Sequence, residues 1–116
     1  MGRAEVNGMF RAFSDRTRLR ILHILLGGEM CVGDLVSILR VPQPTASRHL
    51  AYLRRTGLVE THKNGLWSFY RLAPARTAFQ RSLVKCLESC FQDVPEMQAD
   101  VKRAVAVRKS GGCCPR

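Results

Sequence analysis

The sequence predicts a mainly α-helical fold with one β-hairpin, a winged helix-turn-helix paired as a homodimer, and three observations predict it. Two short helical segments, 31–39 and 43–56, flank a tight break at Val41-Pro42. Directly after Gly57 the pattern changes to two β-branched and aromatic runs, 58–63 and 66–72, around Asn64-Gly65. Beyond them an apolar stripe on a long helix exceeds what one small core needs, and a symmetric partner is its natural cover.

Taken in order, Met9, Phe10 and Phe13 mark a short first helix that ends near Ser14, which can cap the next helix with Asp15 in its first turn. Leu19, Ile21, Leu22, Leu25 and Leu26 recur at helical spacing until Gly27-Gly28, giving a core helix over 15–26. In the third segment Val32, Leu35, Val36 and Leu39 face inward. The fourth tolerates Pro44 in its first turn and stops at Gly57. Asn64-Gly65 suits a type I′ hairpin turn, because both residues tolerate positive φ. Phe79, Leu83, Cys86, Leu87, Cys90 and Phe91 then line one face of a helix over 76–91. Pro95 breaks it, a shorter helix follows over 96–107, and Lys109-Ser110-Gly111-Gly112 reads as a tether for Cys113 and Cys114. Residues 1–95 thus form the reading and dimerisation domain, and 96–116 a helical extension with a cysteine-bearing tail.

The 116 residues suffice for one core, and a hydrophobic content of 46% supports a packed one. Nineteen basic against nine acidic residues give a net charge of +10, which implies a polyanionic partner, nucleic acid before lipid. No run approaches the ~20 apolar residues that span a bilayer. The N-terminus lacks the apolar core of a secretory signal, so a reducing cytoplasm is expected, where cysteines serve as ligands or sensors.

Between Asp34 and Glu60 no acidic residue occurs, while Arg40, Arg48, His49, Arg54 and Arg55 supply positive or potentially positive groups. The first turns of the fourth segment display Gln43, Thr45, Ser47 and Arg48, at the end from which a groove-bound helix reads bases. Gln43 can pair with adenine, and Arg48 can reach guanine or phosphate. Lys63 and Arg71 flank the hairpin tip, where backbone or minor-groove contacts are made.

Phe10-Arg11-Ala12-Phe13-Ser14-Asp15-Arg16-Thr17-Arg18-Leu19-Arg20-Ile21-Leu22 resembles the opening signature of the ArsR/SmtB family of metalloregulatory repressors. Gln43-Pro44-Thr45-Ala46-Ser47-Arg48-His49-Leu50, followed by Leu53-Arg54-Arg55-Thr56-Gly57-Leu58-Val59, is similar to its recognition helix and wing entry. The resemblance covers roughly residues 9–91. It implies a dimer whose first and last long helices form the interface, bound to operator DNA carrying an inverted repeat and relieved by a metal or metalloid.

In the stretch where arsenic sensors of that family carry three cysteines, this chain reads Glu29-Met30-Cys31-Val32-Gly33-Asp34-Leu35-Val36. Cys31, alone there, reads as a small buried apolar residue. The ligand candidates are Cys86, Cys90, Cys113 and Cys114. Cys86 and Cys90 lie four apart on one helical face, so both thiols can approach one ion, although they also fit as core filling. Thiolates without histidine or carboxylate favour soft acceptors, and trigonal sulfur suits arsenic(III) or antimony(III). Methylarsenite needs only two sulfurs; zinc or cadmium would take four, and a thiol redox switch is a further alternative. Neither an organic cofactor nor an enzymatic activity is expected, since a low-pKa Cys-x-x-Cys at a helix start and an anion loop are both missing.

Overall fold

The computed structural model describes residues 3–112, with side chains from residue 6 onward. Helix α1 (Arg3–Phe13) ends where the Ser14 hydroxyl donates to the Arg11 carbonyl at 2.7 Å. Ser14 therefore closes α1 instead of capping the next helix. That cap is Asp15, whose extended backbone lets its carboxylate accept from the Arg18 N–H at 3.0 Å and whose charge suits a helix N-terminus.

Helix α2 (Arg16–Leu25) runs through the centre and buries Arg20, Ile21, Leu22, Ile24 and Leu25. The expected third helix begins one residue late, because Met30–Cys31 forms a strand, β1. Its backbone pairs with Tyr70 and Phe69, which claims groups that a helical start at Cys31 would have left to water. Helix α3 (Val32–Leu39) buries Leu35, Ile38 and Leu39 and ends at Arg40, which adopts the left-handed conformation with φ 58° and donates its N–H to Val36. Helix α4 (Gln43–Arg55) buries Ala46, Leu50 and Leu53 against α2 and α3, and Gly57 at φ 84° turns the chain into the hairpin.

Strands β2 (Val59–Asn64) and β3 (Trp67–Leu72) pair antiparallel, and β1 adds to the far side of β3. Asn64 pairs with Trp67, so the two-residue loop is Gly65-Leu66, one step beyond the expected Asn64-Gly65. Positive φ is confined to Gly65, which makes the turn type II′ and not I′.

Helix α5 (Ala78–Ser89) starts two residues later than expected, because the Thr77 hydroxyl accepts from the Gln80 N–H at 3.1 Å. Helix α6 (Pro95–Ser110) is longer than expected and takes up Lys109 and Ser110, which the sequence reading left to the tether. It rests on α2 and α3 and buries Met97, Asp100 and Ala104.

A buried ion cluster fastens α6 to the helix-turn-helix. Asp100, fully buried, accepts from Arg20 Nε at 2.8 Å and Nη2 at 2.9 Å, and from Arg103 Nη2 at 2.9 Å. Arg20 also donates to the Leu39 carbonyl and Arg103 to the Ile38 carbonyl. Two guanidinium groups thus satisfy the last carbonyls of α3, immediately before the turn into α4.

Candidate nucleic-acid interface and thiol groups

The outer face of α4 is built by spacing. Ala46, Leu50 and Leu53 point into the core, so Gln43, Ser47, Arg48, Arg54 and Arg55 emerge on the opposite side, all exposed. Pro42 precedes the helix in extended conformation, and its carbonyl accepts from both Thr45 and Ala46. Thr45 is half-buried at that first turn, while Gln43, Ser47 and Arg48 project from the end suited to entering a groove.

His49 faces inward, its side chain 14% exposed and its Nε2 4.0 Å from Asp15 at the α2 cap. Burial pushes its pKa below the usual histidine value, opposed by Asp15 and assisted by Arg18 and Arg48. A neutral imidazole in this position joins α4 to α2 and carries no charge to a phosphate. Arg18 is also turned inward: it stacks 4.2 Å above the Tyr52 ring and donates to the Arg11 and Ala12 carbonyls.

At the wing, Lys63 is exposed opposite Ser68. Arg71 stands across from Glu60 in the ladder and donates to it at 2.8 Å, so its charge is shared within the sheet. The wing tip itself is apolar, with Leu66 99% and Trp67 44% exposed. Sequence reasoning passed over this tip, although the Leu-Trp pair beside a turn glycine was its signal.

Cys86, in the last turn of α5, and Cys90, its C-cap, are free thiols, half-buried and exposed respectively. The neighbouring Cys90 thiol, followed by burial, pushes the Cys86 thiol above its usual range. Cys113 and Cys114 lie outside the described residues. Cys31, set aside by the sequence reading, is 1% exposed and disulfide-bonded. Among the described residues, no group of three or more His, Cys, Asp or Glu is placed to hold a metal ion, and no helix is long and apolar enough to cross a membrane.

An exposed polar and basic helix held rigidly on a three-helix core, with a hairpin beside it, defines a winged-helix DNA-binding regulator of transcription. Residues 15–61 match the model of a family described as bacterial regulatory protein, arsR family. The arsenical resistance operon repressor of Escherichia coli K12 is 38% identical over 104 residues, covering 89% of this chain and 87% of its own. Among solved structures, HlyU from Vibrio cholerae is similar at a TM-score of 0.67 and 34% identity, with 78% of this chain and 98% of that one covered. The transcriptional repressor BigR from Xylella fastidiosa gives 0.65 and 36%, covering 78% and 88%. The chain belongs to the arsR family of transcriptional repressors and is not an enzyme.

Proposed function

We propose that the chain represses a promoter as a homodimer on an inverted-repeat operator and leaves it when cysteine thiolates capture arsenic(III), as arsenite or a trivalent methylarsenical, or antimony(III). The observation that carries the reading is the pair of free thiols Cys86 and Cys90, one helical turn apart at the end of α5 with the Cys90 N–H donating to the Cys86 carbonyl at 2.8 Å, in a chain 38% identical to an arsenical resistance operon repressor. Cys113 and Cys114 supply the remaining sulfurs of the set. Trivalent arsenic exchanges its hydroxides for thiolates and needs no histidine or carboxylate, which fits the donors available here.

Dimerisation is supported by apolar surface on α1 and α5. Phe10, 56% exposed, packs edge-on against Phe79 at 5.1 Å between ring centroids, beside the half-buried Leu83. Burying this patch against its copy would set two α4 helices at a fixed separation. Gln43, Thr45, Ser47 and Arg48 then read or brace the groove, Arg54 and Lys63 neutralise phosphates, and Arg71 holds the wing. His49 acts from behind, as a support for α4.

A redox reading has an observation of its own, the disulfide at Cys31. Fluorescence anisotropy of operator DNA decides between them, with the reduced protein titrated against arsenite, methylarsenite, antimonite, cadmium, zinc and peroxide. Arsenite should weaken binding about 5- to 100-fold, the usual range of allosteric coupling. Equal affinity with and without arsenite removes the proposed inducer, and release by peroxide alone makes the protein a redox switch.

A further inference from the structure

We propose that Leu66 and Trp67, at the tip of the wing, form an apolar wedge that enters the operator's minor groove beside the major groove faced by α4 and parts one base step there. This rests on the operator-binding reading alone and is independent of the inducer.

The tip departs from the rest of the surface. Among the described residues, the large apolar side chains left exposed are Phe10, Leu66, Trp67 and Val105. Phe10 packs on Phe79 in the patch assigned above to the dimer, and Val105 stands singly on α6. Leu66 and Trp67 are adjacent, and Leu66 is 99% exposed, so its whole side chain lies in water. One exposed leucine is ordinary; a leucine and a tryptophan together at the end of a projecting hairpin make a contact surface.

Local structure presents the pair rigidly. Burial along β2 falls from Val59, which is buried, to His62, Lys63 and Asn64, all exposed, so the far half of the ribbon projects past the core. Its root is braced: β1 pairs with β3, His62 Nδ1 lies 3.1 Å from Glu29 Oε2, and Phe69 is buried. The turn at Gly65-Leu66 closes the ribbon in two residues and keeps its end narrow.

Charge and shape select the occupant. From residue 35 to residue 87 the sequence holds one acidic residue, Glu60, and Arg71 donates to it at 2.8 Å. Lys63 is exposed beside the tip and α4 packs against β2, so the wedge continues the basic face of the groove-reading helix. A polyanion is the partner this flank admits, and the duplex engaged by α4 is the one within reach. The minor groove is about 6 Å wide, against strands ~4.8 Å apart before side chains are counted, so the tip residues can enter and the ribbon cannot. Leu66 offers no side-chain hydrogen bond and the indole a single donor, so the pair cannot spell a base sequence. Its gain comes from leaving water and lying against sugars and opened base faces. That gain is largest where a step parts easily, as pyrimidine–purine steps do, so the wing selects DNA by deformability while α4 reads its bases.

Trp67 is the one tryptophan of the chain, so the wedge carries its own probe. The test titrates the full-length protein with a duplex that it has itself enriched from a randomised pool, following affinity by anisotropy and Trp67 by acrylamide quenching. Acrylamide is neutral, so phosphate charge does not exclude it. In parallel, 2-aminopurine replaces a base at each step flanking the α4 footprint, where it brightens on unstacking. Acrylamide quenching should fall about threefold or more in the complex, and one step per half-site should brighten. Leu66→Ala, which touches no core residue, should weaken binding about tenfold at every salt concentration and abolish the brightening. Lys63→Ala should instead reduce the salt slope by about one phosphate contact. Trp67 equally open to acrylamide with and without DNA, no brightening at any step, or wild-type affinity in Leu66→Ala overturns the wedge and leaves operator binding standing. Trp67 shielded before DNA is added, and opening on dilution, assigns the tip to contact between copies and also overturns it. A chain that enriches no duplex removes the operator reading, and the wedge with it.

Discussion

Replacing Asp100 by Ala should cost this protein more stability than almost any other single substitution. The carboxylate is fully buried and accepts three hydrogen bonds from Arg20 and Arg103, at 2.8, 2.9 and 2.9 Å. It also holds the Arg20 proton more tightly than usual, through that hydrogen bond first and against the pull of desolvation. Without it, the Arg20 guanidinium stays in the core with Glu96 at 3.7 Å and the Leu39 carbonyl as partners. Breaking a buried pair by deleting one member costs about 3–5 kcal/mol, and those residual partners favour the lower end, about 3 kcal/mol. For a domain of this size that is a Tm drop of roughly 10–15 °C. Urea denaturation at constant m-value measures it. A companion, Arg20→Met with Asp100→Leu, should recover to within about 1 kcal/mol of wild type, because the orphaned charge is gone. A loss under about 1 kcal/mol in Asp100→Ala, or a double variant as unstable as the single, would refute the reasoning.

Burial pushes the pKa of both His23 and His49 below the ordinary 6.5, so the unfolded chain takes up protons that the folded one refuses. This contribution is therefore fully present well above 6.5 and is lost as the pH falls through 6.5 toward the lowered folded-state values; His23→Leu, which also removes a buried Nδ1 without a partner, should flatten the slope of Tm against pH. Asp15 acts in a lower window: burial raises its pKa, but the Arg18 amide, His49 and Arg18 outweigh it, and its contribution is lost only below 3.8. Arg40→Gly should raise stability by about 1 kcal/mol by relieving a left-handed residue, and should weaken operator binding by removing an exposed cation. Arg48→Ala should weaken operator binding and reduce the steepness of its salt dependence by about one phosphate contact, checked by anisotropy across a salt series.

The reading elements were legible because local signals agreed with tertiary demands: helical spacing in α2 to α4, the stop at Gly57 and the alternation of the wing. Misplacements came where two neighbouring residues could do one job. Ser14 and Asp15 are equal as caps on paper, and the helix start chose the charged one. Asn64-Gly65 and Gly65-Leu66 both make two-residue loops, and the ladder register chose the second. Strand β1 was invisible, because two residues have no period and exist only through β3. The Arg20–Asp100 bond joins residues 80 apart; Arg20 amid an apolar run was a signal, but nothing local named its partner.

The two-residue strand has a mechanical consequence. Met30 and Cys31 are laced to Tyr70 and Phe69, so the hairpin hangs from the same short seam that launches α3. A pull on that seam swings wing and groove-reader together as one yoke, leaving the choice of bases within each half-site untouched. In the homodimer proposed above, such a pull would change the spacing between half-sites, and operators lengthened or shortened by a base pair should report it first.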